Sequence, residues 1–312
     1  MEPTTKFYTK LLVPLDGSQL SEQVLPYAHW LARSLPCNVD LLRVIQPVGA
    51  DTEAELHTDR SVDAMTAELT SMALARLDSN AQSFGPDRTV QRHTEIGEPT
   101  EVILRTAEAV PETLIMMATH GHSGVGRWLM GSVTYQAIHR SKNPLFVVRP
   151  ARERNVERRV ELKTLLVPLD KSDVAMRVLP QVRELAKTLQ LAVVLVSVYD
   201  PRLHGHIPYM QELDARMRDV LSTYLQEKAQ QLESAGVAQV SWRTFRGNPA
   251  EEIIRFAEAT PDNLIIMSTR PRSDSSRAML GSVTNRVVCH ADNPVLIIPF
   301  NGSDASDQPG KP

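Results

Sequence analysis

A stretch between residues 117 and 134, MATHGHSGVGRWLMGSVT, places glycines, an arginine and hydroxyl side chains between an apolar run and the start of a helix. The glycines leave backbone amides open to close approach, and Gly131-Ser132 stands where the helix begins. Bare amides and the positive end of a helix dipole both favour phosphate oxygens. Arg127 could neutralise part of the phosphate charge. The stretch predicts a phosphate site, and simple capping of the helix by Ser132 is the alternative.

A second candidate group follows the first apolar run, in the turn Pro14-Leu15-Asp16-Gly17-Ser18. In an open parallel sheet, ligands bind beyond the carboxyl ends of the strands, where the strand order reverses. Asp16 at such an end could bind a ribose hydroxyl, a base amino group or a divalent metal, or it could cap the following helix. His120 and His122 are interpreted as loop residues, because no carboxylate partner is evident for them.

The sequence motifs that position these residues occur twice in the chain. LLVPLD, GEPTEVI, GSVT and NPLFVVRP, at residues 11, 97, 131 and 143, recur in the same order as LLVPLD, GNPAEEI, GSVT and NPVLIIPF, at 165, 247, 281 and 293. Such self-similarity indicates a tandem duplication of one domain. We predict domains at residues 1–150 and 164–300, a charged linker at 151–163 and a disordered tail at 301–312.

Short apolar runs alternate with helical patterns within each repeat, in the order βαβαβαβαβ. A single helix is predicted for SEQVLPYAHWLARSL, and a long one from about residue 62 to 84. The order predicts two α/β domains, each a doubly wound, open parallel five-stranded sheet with helices on both faces. Both final strands are apolar sheet edges, so we expect them to pair and form an intrachain pseudo-dimer. Pairing of two whole chains into a homodimer stays open.

Charge and composition exclude several classes of partner. The net charge of −3 argues against recruitment of nucleic acid or of an anionic membrane. No apolar run reaches membrane-spanning length, and the sequence begins without a secretory signal. Cys37 and Cys289 form no CxxC pair, which fits a reducing compartment. We therefore predict a soluble, cytoplasmic protein.

The turn VPLDGS, the run LLRVIQP and the GSVT that precedes NPLFVV resemble the universal stress protein family, over nearly the whole chain. The nucleotide-binding branch of that family carries Gly-x2-Gly-x9-Gly-Ser/Thr, and this chain reads Ala118-x2-Gly121-x9-Gly131-Ser132. The resemblance implies the adenine nucleotide alpha hydrolase-like fold, with strand order 3-2-1-4-5. It also implies that the nucleotide is bound by Pro14, Leu15, Asp16, Val44, Ala118, His120, Gly121, His122, Ser123, Gly124, Arg127, Gly131, Ser132, Val133 and Thr134.

Within that set, the resemblance assigns a part of the ligand to each group. The backbone of Val44 would bind adenine, and Pro14 and Asp16 would line the base and the ribose. The phosphates would lie against residues 121–124 and against Ser132 and Val133, which provisionally explains the glycines.

The second repeat departs from the pattern, because its frame reads Ser268-x2-Pro271-x9-Gly281-Ser282. Proline removes an N–H donor and fixes φ near −65°, which is unfavourable in a phosphate-binding loop. This repeat is interpreted as a degenerate site, or as one in which arginines replace the backbone donors. The residues of this possible second site are Pro168, Asp170, Val198, Ser268, Arg270, Arg277, Gly281, Ser282 and Val283.

The predicted function is binding of ATP, or of ADP or AMP, by the first repeat, with nucleotide-dependent switching of conformation or partner in a stress response. Mg²⁺ could accompany the nucleotide, with Asp16 as its protein contact. The alternative is a stress-related interaction scaffold with little or no nucleotide binding. The chain has no GxxxxGK[ST] and no nameable nucleophile and base, so dedicated catalysis is not predicted. Slow ATP hydrolysis, which needs only a positioned water and a metal, stays open.

Overall fold

The computed structural model describes residues 7–46, 62–86, 88–110, 112–119, 130–150, 160–200, 210–269 and 280–299. The chain forms two compact units. The first contains Met1–Ala137 with Pro150–Val160, and the second contains Ile138–Arg149 with Glu161–Pro312. The end of the first repeat therefore packs with the second unit. Most of the predicted linker and the whole predicted tail lie outside the described residues.

The first repeat folds in the predicted order. Its elements are β1 (Lys10–Pro14), α1 (Gln19–Glu22), α2 (Leu25–Ser34), β2 (Asn38–Ile45), α3 (Val62–Gln82), β3 (Val90–Ile96), α4 (Pro99–Glu108), β4 (Thr113–Ala118), α5 (Ser132–Arg140) and β5 (Leu145–Val148). The strand order is β3-β2-β1-β4-β5, and β1 pairs in parallel with β2 and β4. The predicted α/β class and the order 3-2-1-4-5 are confirmed.

The second repeat has the same plan. Its elements are β6 (Thr164–Pro168), α6 (Asp173–Met176), α7 (Leu179–Leu189), β7 (Ala192–Tyr199), α8 (Met210–Ser234), β8 (Val240–Arg246), α9 (Pro249–Ala259), β9 (Asn263–Ser268), α10 (Ser282–His290) and β10 (Val295–Ile298). The order is β8-β7-β6-β9-β10. Within this unit β5 pairs antiparallel with β10, with Phe146 opposite Leu296. The two final strands thus pair as the sequence predicts.

The central strands are the core of each unit. All six residues of β4 are buried, and Leu11, Leu12 and Val13 of β1 have no exposed surface. Parallel strands that are covered by helices on both faces have continuous apolar sequences, because both faces are buried. This explains the runs LLV in β1 and LIMMA in β4. Each fully buried leucine stabilises the fold by about 1.5–3 kcal/mol relative to an exposed one.

The helical region after the first strand of each repeat is divided, where the sequence predicts one helix. α1 ends before Gln23, and α2 begins at Leu25 with Pro26 in its first turn. Proline has no N–H to donate to the preceding turn, but it is tolerated in the first turn of a new helix. The helix therefore restarts at the proline, and Pro180 has the same place in α7.

One glycine in each repeat is required by backbone conformation. Gly97 and Gly247, which begin the GEPTEVI and GNPAEEI motifs, have φ of +156° and +149°. A Cβ on Gly97 would lie 3.0 Å from Val102 Cγ2, so a larger residue would be both strained and crowded. These glycines direct the chain into α4 and α9, whose first turns hold Pro99 and Pro249.

Two expectations from composition can be compared with the described part of the chain. No helix in it combines the length and the apolar character that crossing a bilayer would require. Cys37 and Cys289 are both free thiols in the structure.

Candidate functional site

A cavity of about 240 Å³ lies at the carboxyl ends of β6 and β9 in the second repeat. Four elements besides these strands contribute to it: the turn after β6 together with α6, β7, the start of α9, and the start of α10. The lining residues are Pro168, Leu169, Asp170, Ser172, Val174, Ala175, Val196, Val198, Pro249, Ile253, Met267, Ser268, Gly281, Ser282, Val283 and Thr284. The cavity therefore lies where the strand order reverses, as expected for an open α/β sheet.

The start of α10 lines this cavity and carries backbone amides without intrahelical acceptors. The residue that caps α10 is Gly281, with φ of −56° and ψ of 147°, and no side chain there accepts a hydrogen bond from the first turn. Ser282 is the first helical residue and is exposed. Because the N-terminal amides of a helix lack intrahelical acceptors, this end favours an anion. The alternative for this motif was that the serine of Gly-Ser caps the helix. In α10, Ser282 does not have that role.

The threonine of each GSVT motif ties the helix start to a strand. Thr134 Oγ1 donates to the carbonyl oxygen of Ala118 at 2.9 Å, and Thr284 Oγ1 donates to that of Ser268 at 3.3 Å. The N–H of Gly131 donates to Thr119 O at 2.7 Å. These bonds hold the helix N-terminus beside the end of the fourth strand. Thr134 thus positions the helix through its side chain.

Replacing Thr134 by valine is expected to lower the free energy of unfolding by about 1–2 kcal/mol, because a buried hydrogen-bond donor is lost while the shape is kept. The matched substitution Thr284→Val should lower it less, since that bond is longer. Urea unfolding monitored by circular dichroism measures both. Equal losses in the two variants would contradict this assignment.

The aspartate after the first strand of each repeat has a fixed orientation. Asp16 Oδ1 accepts from the N–H of Ser18 at 2.9 Å and from its hydroxyl at 2.6 Å. Asp170 makes the same two bonds with Ser172, at 3.0 and 2.5 Å. The serine, and not the aspartate, caps the short helix that follows, since Ser18 Oγ accepts from the N–H of Ser21. The capping role considered for Asp16 therefore belongs to Ser18.

The remaining predicted residues of the first repeat lie at corresponding strand and helix ends. Pro14 ends β1, and the N–H of Leu15 donates to Leu42 O at 2.8 Å. Val44 is half-buried near the end of β2. Ala118 ends β4, while Gly131, Ser132 and Val133 stand at the start of α5.

In the second repeat, the structure brings Pro168, Asp170, Val198, Ser268, Gly281, Ser282 and Val283 together around one cavity. Several predicted loop residues lie outside the described residues: His120, Gly121, His122, Ser123, Gly124, Arg127, Arg270, Pro271 and Arg277.

Sequence reasoning missed the contribution of α9 to the cavity. Pro249 and Ile253 line it, although neither was predicted as a site residue. The signal was available, because Pro249 belongs to the GNPAEEI motif that the two repeats share. Within the described ranges, no group of three or more His, Cys, Asp or Glu side chains could hold a metal ion. A divalent metal site formed by protein groups alone therefore has no support there.

Comparison with known proteins gives matches along most of the chain. The model of the universal stress protein family matches residues 7–149 and again 161–299. A universal stress protein of Methanocaldococcus jannaschii is 29% identical over 144 residues, which are 44% of this chain and 81% of the relative. One of Bacillus subtilis is 28% identical over 148 residues, 46% of this chain and 99% of the relative.

Among solved structures, the crystal structure of a universal stress protein from Archaeoglobus fulgidus superposes with a TM-score of 0.64. The alignment covers 95% of this chain and 99% of that one, at 19% sequence identity. At this level of identity, the similarity between the two structures shows a shared fold.

Proposed function

This chain belongs to the universal stress protein family, with two family domains in tandem, and we propose that it binds an adenine nucleotide at the carboxyl ends of the first and fourth strands. The observation that carries this proposal is the cavity of the second repeat. Its wall combines the Asp170 carboxylate, apolar side chains such as Val198 and Met267, and the uncapped start of α10 at Gly281.

Each of these surfaces suits one part of a nucleotide. Apolar side chains pack against a planar base, a carboxylate accepts hydrogen bonds from sugar hydroxyls, and helix amides bind phosphate. The cavity of about 240 Å³ is slightly smaller than the pockets of about 300–1,000 Å³ that enclose whole small molecules. It therefore suits a nucleoside, whose phosphates would extend over the helix end.

The first repeat supports the same proposal through its sequence. Asp16, Val44 and Ser132 hold the positions of Asp170, Val198 and Ser282, and the stretch between Ala118 and Gly131 contains the glycines that a phosphate-binding loop uses. In the second repeat that stretch contains Pro271, which donates no N–H. We therefore assign ATP to the first repeat as the tighter site, with Mg²⁺ on its phosphates. Occupancy would switch conformation or partner choice in a stress response.

Nucleotide content tests the proposal directly. The full chain is purified without added nucleotide and extracted with acid, and adenine nucleotides are then counted per chain by chromatography. One nucleotide per chain would support the proposal with one occupied site. Two nucleotides per chain would support binding in both repeats. None, together with no calorimetric signal on adding ATP with Mg²⁺, would overturn it and favour an interaction scaffold.

A further inference from the structure

Arg43 reaches from β2 to the turn that carries Asp16. Its Nη1 donates to the carbonyl oxygen of Leu15 at 3.4 Å, and the same atom lies 3.7 Å from the point that a Cβ on Gly17 would occupy. The guanidinium therefore lies against the residues on both sides of Asp16. Arg43 lies on β2 directly before Val44, and both residues are half-buried. Sequence reasoning did not predict this placement.

The charge of Arg43 is partly withdrawn from water. Burial lowers the pKa of the guanidinium from its ordinary value, and the nearby Asp16 carboxylate raises it in part. Arginine stays protonated in proteins, so a permanent positive charge faces the carboxylate at this turn. A charge that is half-buried is less screened by salt and solvent than an exposed one, so its effect on neighbouring groups is larger.

The second repeat places its cation differently. Ser197 holds the position of Arg43; it is 2% exposed, and within the described residues its hydroxyl has no hydrogen-bond partner. Lys171 holds the position of Gly17, with φ of +66°. Its exposed side chain places Nζ 5.8 Å from the centre of the Tyr224 ring. The cation beside Asp170 is therefore exposed and directed to an aromatic ring, whereas the cation beside Asp16 is half-buried.

An aspartate and a phosphate repel each other if they share a crevice. In the second repeat, Asp170 and the start of α10 line one cavity, so a ligand bound there would lie close to both. The corresponding groups of the first repeat are Asp16 and the start of α5. We propose that Arg43 neutralises Asp16 and thereby allows the first-repeat crevice to accept a multiply charged nucleotide. This inference rests on the proposed nucleotide binding.

The test separates charge from shape. Arg43→Gln removes the charge and keeps a polar side chain, and Arg43→Lys keeps the charge. Both are made in the full chain carrying Gly281→Leu, which we expect to block binding at the second-repeat cavity, and that chain alone is the reference. Calorimetry at constant, low salt then measures the affinity for adenosine, AMP and ATP, and circular dichroism checks the fold.

The expected loss in Arg43→Gln grows with ligand charge. Adenosine affinity should change less than twofold, AMP affinity should fall a few-fold, and ATP affinity should fall about tenfold or more. Arg43→Lys should keep ATP affinity within about threefold of the reference. Equal losses for all three ligands, or no loss, would overturn the inference while leaving nucleotide binding intact. A reference chain that binds none of the ligands would overturn the inference together with first-repeat binding.

Discussion

Replacing Asp40 by alanine is expected to lower the free energy of unfolding of the first unit by about 3–5 kcal/mol. Asp40 lies on β2 and is 2% exposed. Lys10 Nζ is 2.5 Å from Asp40 Oδ2, and the Lys10 side chain is itself only 12% exposed. Without the carboxylate, a nearly buried ammonium would lose its counter-ion, and this leaves a desolvated charge uncompensated.

Two side chains of β3, His93 and Glu95, extend the interaction towards the edge of the sheet. His93 Nδ1 lies 2.9 Å from Asp40 Oδ1, at an orientation that leaves this oxygen without a hydrogen bond within the described residues. Glu95, two residues further along β3, lies 3.7 Å from the other ring nitrogen and also pairs with Arg105 of α4. Asp40 is therefore the buried member of a group that connects three strands and a helix.

The second repeat supplies a matched control. Thr164 and Val194 hold the positions of Lys10 and Asp40 there, in the same strand register. The double variant Lys10→Thr, Asp40→Val should lose only about 1 kcal/mol, because replacing a whole buried ion pair by uncharged residues of this kind leaves no unpaired buried charge.

Urea unfolding followed by tryptophan fluorescence measures both variants. A Trp242→Phe background restricts the signal to the two first-repeat tryptophans, Trp30 and Trp128. A loss below about 1 kcal/mol in Asp40→Ala, or equal losses in the single and double variants, would contradict the assignment.

Gly281→Leu is expected to weaken nucleotide binding in the second repeat by at least about a hundredfold, which corresponds to about 2.7 kcal/mol. The backbone of Gly281 has a conformation open to any residue, and a Cβ there would meet nothing within 4 Å. Since Gly281 lines the cavity of about 240 Å³, we expect the leucine side chain to occupy part of it. There it would cover the helix amides that we assign to the phosphates.

Gly281→Ala is the control, because one methyl group leaves most of the cavity open and should change the affinity only a few-fold. Counting retained nucleotide per chain and titrating with ATP measure the change, and urea unfolding verifies that stability is kept. If Gly281→Leu retains as much nucleotide as the unmodified chain and shows the same number of calorimetric sites, the ligand does not bind at this cavity. The corresponding substitution Gly131→Leu tests nucleotide binding in the first repeat.

The architecture was predictable because each repeat supports the other. LLVPLD, GSVT and the final apolar strands recur in order, so the duplication and the starts of α5 and α10 follow from patterns seen twice, whereas the strand order was implied by the family resemblance. The division at Pro26 was missed because the apolar spacing of α1 and α2 continues across the break, and periodicity alone does not record a missing N–H.

The site was predictable where it depends on strand and helix ends, and less so where it depends on the reach of side chains. Asp170, Val198 and Gly281 stand at ends that any parallel sheet brings together. The reach of Arg43 to the turn at Leu15 depends on the rotamer of a long side chain, which spacing does not fix. Asp40 is visible as a polar residue within an apolar run, but its partner Lys10 is set by strand register.

The antiparallel pairing of β5 with β10 joins the closing strands of two repeats within a single polypeptide. In an assembly of two identical chains, every mutation falls on both partners at once, so neither can change alone. A fused pair is free of that constraint, and its association does not weaken on dilution. Arg43 against Ser197 and Gly17 against Lys171 are differences between the two repeats that this arrangement permits. The two repeats of this chain can therefore diverge separately.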